Sequence, residues 1–406
     1  MNNLIIALHK WWKLHDYYIE SYLELVKKYD VKVYIFIDNY EENNIAKYKN
    51  ILFYKYNNFE DLENQILEIS KKNNILFLNT FSESFVLFIN QLRKKIWQKV
   101  TENFELFRNK KIQRELLLDY DKTMTIDFLE TKIWKLNFSE LKERFSIPFI
   151  LKPKDGFESS GVVKIENEKD LENYKKNNIL DNTILVEEFI DGKMYNIVYY
   201  VDEKWNIYMT NPIREVVAIE YGVDDFFSPV RIVSKDSLDY ALSYDLQNFI
   251  KNTVKACNIK NTFVHQEFKI TTKNQIKNIE LNGRIWWYRL EMYKNAYNIN
   301  LLELILNPKN YYAEKIKNNL AFFAIYPAKN WKLISYNYNL IEKIKKLDSF
   351  YSLRILPEKY EWKKVWLTKY GFKKLWWIKL KNSNFKQFNK DYNFVKENYF
   401  NLLNME

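Results

Sequence analysis

Lys152 stands in Pro148-Phe149-Ile150-Leu151-Lys152-Pro153-Lys154, an otherwise apolar strand-like run. A buried ammonium there is costly unless an anion pairs with it, and a phosphate would supply the charge. The loop that follows, Asp155-Gly156-Phe157-Glu158-Ser159-Ser160-Gly161, can close over that phosphate with backbone N–H groups and the Ser159 and Ser160 hydroxyls. In Ile184-Leu185-Val186-Glu187-Glu188-Phe189-Ile190-Asp191-Gly192 a strand ends in two acids. Its edge can offer backbone groups to an adenine and a carboxylate to a ribose. Further on, Glu280 and Asn282 share one strand face, and His265 and Glu267 share a face on the strand before. A hairpin can set Glu267 beside Glu280, so that Glu267, Glu280 and Asn282 form a Mg²⁺ site of the kind that also engages phosphates. Arg284 suits a bidentate grip on a carboxylate or phosphate. Taken singly, these pieces also read as a surface turn, a sheet cap and a solvated sheet face; their order along one chain is what makes them specific.

The elements that must position these groups follow from periodicity. Over the first hundred residues, strands Leu4 to Leu8, Val31 to Ile37 and Ile75 to Leu78 alternate with helices Asp16 to Tyr29 and Asn58 to Lys71. This predicts an α/β unit with a parallel sheet covered on both faces over 1–104. The loop His9-Lys10-Trp11-Trp12-Lys13 then lies at the carboxyl end of the first strand, where open α/β sheets bind ligands. Residues 105–310 read as α+β. A helix begins near Phe107 to Arg114, and strands run over Pro148 to Lys154, Val162 to Ile165 and Thr183 to Phe189. Two hairpins are expected, one around Trp205 and one joining Phe263–Ile270 to Ile276–Asn282, with one long helix over Ser237 to Ala256 between them. Helical spacing resumes from Leu290 to Leu306. Strands Leu320 to Ile325 and Leu333 to Tyr336 mark a small β-rich C-terminal subdomain over 311–406. The charges Arg214, Glu215, Asp224, Asp225 and Arg231 help shape an acceptor pocket or are ordinary surface.

Composition bounds the rest. With 406 residues, 47% of them hydrophobic, the chain can bury large cores. One cysteine, Cys257, and three histidines exclude an internal disulfide and a Cys/His metal cluster, which leaves oxygen-bound hard cations. The net charge of +11 is spread along the chain without an Arg-rich block, which argues against nucleic acid as a partner. The short N-terminal apolar run is too brief for a signal peptide or a membrane span, so a cytoplasmic protein is expected. Glycine is scarce, 6 residues where roughly 28 are usual at about 7%, while tryptophan numbers 12. Six tryptophans form the doublets Trp11-Trp12, Trp286-Trp287 and Trp376-Trp377, and others fall in turn-like segments such as Asp202-Glu203-Lys204-Trp205-Asn206. Tight turns need backbone that glycine supplies and an indole does not. Most of these tryptophans are therefore read as glycines in the organism: some bacterial lineages translate UGA as glycine, others as tryptophan. The plainer alternative is a Trp-rich protein with exposed aromatics.

Together, Lys110, Lys152, the flap Asp155 to Gly161, the segment Leu185 to Gly192, Glu267 and Glu280-Leu281-Asn282-Gly283-Arg284 resemble the ATP-grasp superfamily in its carboxylate-amine ligase and carbamoyl-phosphate-synthase-like branch. The resemblance implies an ATP-grasp fold over about 105–310, preceded by an α/β domain and followed by a small lobe. It implies that Lys110 and Lys152 contact ATP, with Gly156, Ser159, Ser160 and Gly161 over the phosphates, and that Glu187, Glu188, Phe189 and Ile190 surround the adenine. Glu267, Glu280 and Asn282 would hold Mg²⁺, or Mn²⁺ in its place, and Arg284 would face an acyl phosphate. Two departures stand out: Met194 replaces a ribose-binding glutamate, and Trp286-Trp287 replaces Gly-Gly. The implied function is ATP-dependent joining of a small carboxylate to an amine or amino acid, by an enzyme for which a homodimer is one expected assembly. The alternatives are carboxyphosphate chemistry and a non-catalytic ATP-binding protein.

Overall fold

The structure is a computed structural model, and it describes residues 3–10, 16–38, 48, 50–154, 159–286, 288–370 and 374–406. Strands β1 (Asn3–His9), β2 (Lys32–Ile37), β3 (Leu52–Lys55) and β4 (Asn74–Thr80) form a parallel sheet in the order β3-β2-β1-β4. Alternation along β1 divides its side chains between two cores. Ile5 and Ala7 pack with Tyr18, Ile19, Tyr22 and Leu25 of helix Asp16–Lys28, whereas Leu4, Ile6 and Leu8 pack with Leu62 and Ile66 of helix Phe59–Lys72. Both faces are thus covered, as the sequence predicts.

A second, antiparallel sheet contains β5 (Phe128–Lys132), β6 (Phe149–Pro153), β7 (Val163–Ile165) and β8 (Thr183–Glu188), ordered β5-β8-β6-β7. Phe149, Leu151, Ile184 and Val186 bury one face against Leu141, Leu171 and Tyr174 of its two helices. The other face presents Ile150, Lys152 and Glu187 to a cavity.

The opposite wall of the cavity is a large sheet. It is built on β9 (Lys193–Val201), β10 (Ile207–Met209), β11 (Ile213–Val216), β12 (Val230–Val233), β13 (Thr262–Ile270), β14 (Ile276–Asn282) and β15 (Asn319–Ile325). The chain continues through β16 (Trp331–Tyr336), β17 (Phe350–Arg354), β18 (Lys363–Val365), β19 (Trp376–Asn382) and β20 (Leu403–Met405). The sheet order is β14-β13-β9-β11-β12-β15-β19-β17, with β10 on β9, while β18-β16-β20 form a three-stranded sheet. One face of β9 and β13 is mainly apolar: Tyr195, Ile197, Tyr199, Val264 and Phe268 join helix Leu246–Ala256 in a core, with the buried Gln266 accepting from the Tyr199 hydroxyl at 3.0 Å. The other face begins apolar, at Val198, Tyr200 and Phe263, and turns polar toward the cavity at Asn196, His265 and Glu267.

Two expectations are corrected. The single helix over Ser237 to Ala256 is two helices, Lys235–Leu242 and Leu246–Ala256. The polar step Ser243-Tyr244-Asp245 interrupts it, and the Asp245 carboxylate accepts from the Asn248 N–H at 3.1 Å, starting a new helix where the old pattern would run on. Near residue 311 the main sheet does not end: β15 pairs with β12, and β17 and β19 extend the same sheet under helices Tyr338–Lys345 and Phe385–Glu397. No helix among the described residues is long and apolar enough to cross a membrane.

Left-handed backbone occurs at Gly161, Gly192 and Gly222, and equally at Trp97, Trp205 and Trp362, with φ between 62° and 64° at the three tryptophans. Trp97 follows helix Val86–Lys95, donating to the Lys94 carbonyl while Gln98 donates to that of Arg93. That is a Schellman ending, whose left-handed residue is usually glycine. Trp205 closes the β9–β10 hairpin as the left-handed residue of a three-residue loop. The side chain of Trp97 is 94% exposed, so no packing compensates for its backbone.

Candidate functional site

The cavity between the small sheet and the large one encloses about 210 Å³, walled by Lys110, Lys152, Glu187, Glu188, Phe189, Ile190 and Met194 on one side and by Glu215, Glu267, Glu280 and Trp286 on another. Ser159 and Ser160 line it, and the Ser159 hydroxyl donates to the Phe226 carbonyl at 2.9 Å. Gly156 and Trp287 lie outside the described residues, as do Trp11 and Trp12 with the expected binding loop after β1.

Lys152 reaches the Glu187 carboxylate at 2.6 Å, and Glu187 also receives Arg114 Nε at 3.2 Å, from helix Lys110–Tyr120. Burial pushes the Lys152 ammonium down to about 8, with Glu187 partly offsetting it. The Glu187 carboxyl lies below its ordinary range despite burial, because Arg114 and Lys152 flank it. Glu187 thus takes two cations and orients Lys152 while it lines the cavity. The segment after it does border the cavity, and Lys269, opposite Met194 on the neighbouring strand, donates to the Ile190 carbonyl. Gly192 makes this turn possible. Its φ is +92°, and a Cβ would stand 2.2 Å from the Ile270 carbonyl oxygen.

On the large sheet Glu267 pairs directly with Glu280, and His265 with Asn282. The register then shifts, leaving Ile279 as an extra residue before Phe268 meets Asn278. A bulge of this kind re-aims the neighbouring side chain. Here the Ile279 carbonyl accepts from Arg114 Nη2 at 2.7 Å, tying the bulge to the helix that also carries Lys110. Lys110 Nζ lies 3.1 Å from Glu280. Burial, then Glu215 and Glu280, push the Glu267 carboxyl up to about 8, while Glu280 stays below its ordinary range because Lys110, Lys152 and Arg284 together outweigh its burial. Two half-buried acids face to face favour sharing a proton unless a cation joins them. Glu267 and Glu280 therefore fit a hard divalent ion. Asn282 is buried on the same face, one pair farther from the cavity, and does not line it.

Other groups had no local signal. Glu215, His265 and Glu267 present ligand atoms within 4.8 Å of one another. Glu215, however, is already held by Arg289, by Asn196 and Ser228 at 2.8 Å each, and by Arg231 at 3.8 Å, so a cation there would compete with two guanidinium groups. Burial and Arg289 hold His265 neutral, well below its ordinary value. Of the charges expected around the acceptor, Glu215 and Arg231 line the cavity. Arg214 pairs with Glu220, and Asp225 with Thr368. Arg284 is buried behind the wall, 2.7 Å from Glu83 and 4.3 Å from the centre of the Trp286 ring. The Trp286 indole fills cavity space, and its buried N–H has no hydrogen-bond partner among the described residues. The enclosed volume falls short of the roughly 300–1,000 Å³ usual for small-molecule sites.

A family model described as an ATP-grasp domain matches residues 145–286, which contain β6 through β14 and most of the residues that wall the cavity, though not Lys110. No curated protein sequence matches the chain. Among solved structures, an L-amino acid ligase from Bacillus licheniformis superposes with a TM-score of 0.69 at 16% identity, covering 100% of this chain and 98% of that one. An N5-carboxyaminoimidazole ribonucleotide synthetase from Thermotoga maritima gives 0.63 at 16% identity over 100% and 99% of the two chains. The Staphylococcus aureus N5-carboxyaminoimidazole synthetase complexed with ADP gives 0.66 at 15% over 98% of each. At these identities the likeness is one of fold, extending over the N- and C-terminal regions as well. Residues 145–286 therefore match an ATP-grasp domain, and the whole chain shares the fold of these solved structures.

Proposed function

We propose that this chain is an ATP- and Mg²⁺-dependent ligase that activates a small carboxylate as an acyl phosphate and joins it to an amine. The observation that carries this reading is the convergence, across one cavity, of Lys110 and Lys152 with the facing acids Glu267 and Glu280. Cations from the helix and the small sheet suit a polyphosphate, and the paired acids suit its divalent ion. In the reaction a carboxylate oxygen attacks the γ-phosphorus of ATP and ADP leaves; an amine nitrogen then attacks the acyl carbon and phosphate leaves. Lys152, fixed by Glu187, neutralises charge on the transferring phosphoryl group. Glu267 and Glu280, with Asn282 behind them, would hold the divalent ion, which would supply charge neutralisation for the polyphosphate. Arg284 supplies a second cation at the acyl end, and closure of Ser159 to Gly161 over the nucleotide excludes water that would hydrolyse the intermediate.

We read position 286 as glycine in the organism. The unpartnered indole N–H, the restricted cavity and the left-handed backbone at Trp97, Trp205 and Trp362 support this. A second reading, bicarbonate as the activated carboxylate, is favoured by the several structural relatives named as N5-carboxyaminoimidazole ribonucleotide synthetases. ADP release with glycine at 286 and 287 tests both. Release that requires an amino acid supports the main reading, and release that requires bicarbonate together with an amine supports the second. Without ADP release in either panel, the proposal fails.

A further inference from the structure

The proposed chemistry leaves one half-buried acid without a role. Glu83 sits on the single 3₁₀ turn Glu83–Phe85, just past the carboxyl end of β4, outside the matched domain. The turn is pinned to the parallel sheet: the Thr80 hydroxyl donates to the Leu8 carbonyl at 3.0 Å and accepts from the Ser82 N–H at 2.9 Å. From there the Glu83 side chain, 18% exposed, lines the cavity and grips two guanidinium groups. One oxygen takes Arg108, at the entrance to helix Lys110–Tyr120, and the other takes Arg284 Nη2 at 2.7 Å. Arg284 is itself 3% exposed, and its guanidinium lies over the Trp286 ring.

We infer that Glu83 is a positioning residue for Arg284, by which the N-terminal α/β unit sets the cation that faces the activated acyl group. The inference rests on the proposed ligase reading. Without the carboxylate, Arg108 and Arg284 are left as two like charges in a partly buried space, and Arg284 turns away from its partner's position. With glycine at 286 the ring beneath Arg284 is gone as well, so the orientation of the guanidinium depends on Glu83 more heavily. The shared carboxylate also links Arg284 to the start of the helix that carries Lys110 and Arg114, so both phosphate-side and acyl-side cations are referenced to one frame.

The test compares Glu83→Ala, Glu83→Gln and Glu83→Asp in the full chain carrying glycine at 286 and 287. Glu83→Ala should lower kcat by about 100-fold, the scale of an ångström-sized misplacement, with KM for ATP within about twofold. Glu83→Asp should recover part of the loss and Glu83→Gln less, since the amide keeps the shape without the charge. An equal loss of kcat and ATP affinity, or a kcat within about threefold of the parent, overturns the inference. A crystal structure of Glu83→Ala with ADP and Mg²⁺ reads the same point without turnover. The inference expects the Arg284 guanidinium to have moved, and an unmoved guanidinium overturns it. Parent activity decides the ligase reading and the guanidinium position decides the role of Glu83, so the two can fail separately.

Discussion

Lys152 illustrates how a single residue announces chemistry. An ammonium in an apolar strand is costly, and the fold meets that cost with Glu187 and Arg114 at 2.6 and 3.2 Å around one carboxylate. Because burial holds Lys152 at about 8, it is charged below that pH and neutral above it. ATP affinity of the free protein should therefore fall as pH rises through about 8, whereas Lys152→Arg should keep its affinity across that range; titration calorimetry at stepped pH reads both. The sign for stability is opposite. A lysine depressed below its ordinary 10.5 burdens the fold at low pH, and that burden lifts as pH rises from about 8 toward 10.5. Glu280→Ala should abolish ADP production while circular dichroism stays native, and retained turnover would remove Glu280 from the metal shell. Lys152, Glu267 and Glu280 were legible in the sequence because each is a charge in an alternating apolar strand. Glu83 was not, since Phe81-Ser82-Glu83-Ser84 is a short polar step with no periodicity. Nor was the Glu215–Arg289 ion pair, whose members lie 74 positions apart. Glu187 was legible but its ion pair with Arg114 was not, because nothing local places Arg114 beside it.

At the level of elements, period and turn chemistry recover the parallel sheet, the β9–β10 turn and the β13–β14 hairpin. They miss what depends on pairing: the extra residue at Ile279, the strands β11 and β12, and the continuation of the main sheet through β15. The bulge matters most, because it fixes Glu280 opposite Glu267 while Ile279 is held by Arg114. The Schellman ending after helix Val86–Lys95 offers a direct test of the glycine reading. Trp97 has φ of 64° and is almost wholly exposed. Replacing it with glycine should raise stability by about 1 kcal/mol, the cost of left-handed backbone for a residue with a Cβ. A higher urea midpoint at unchanged slope is the expected result, and an unchanged or lower midpoint counts against it.

At the level of the whole molecule, one cavity is closed by three regions: the N-terminal sheet through Glu83, the small sheet through Lys152, and the large sheet through Glu267 and Glu280. The scarcity of glycine and the abundance of tryptophan touch all three, so the coding question is a question about the site. Peptide mass spectrometry of the protein from its own organism should show glycine at the positions written as Trp97, Trp205 and Trp286, and an indole at Trp286 would end that reading. We propose that nucleotide and divalent ion are gripped together between the two lobes. Calorimetric titration of a non-hydrolysable ATP analogue into the chain with glycine at 286 and 287, with Mg²⁺ and then with chelator, reads this grip. Saturable binding is expected, weakened at least about tenfold, or 1.4 kcal/mol, both on chelation and in Glu267→Gln. Binding of equal strength with and without Mg²⁺, or no binding at all, would contradict it.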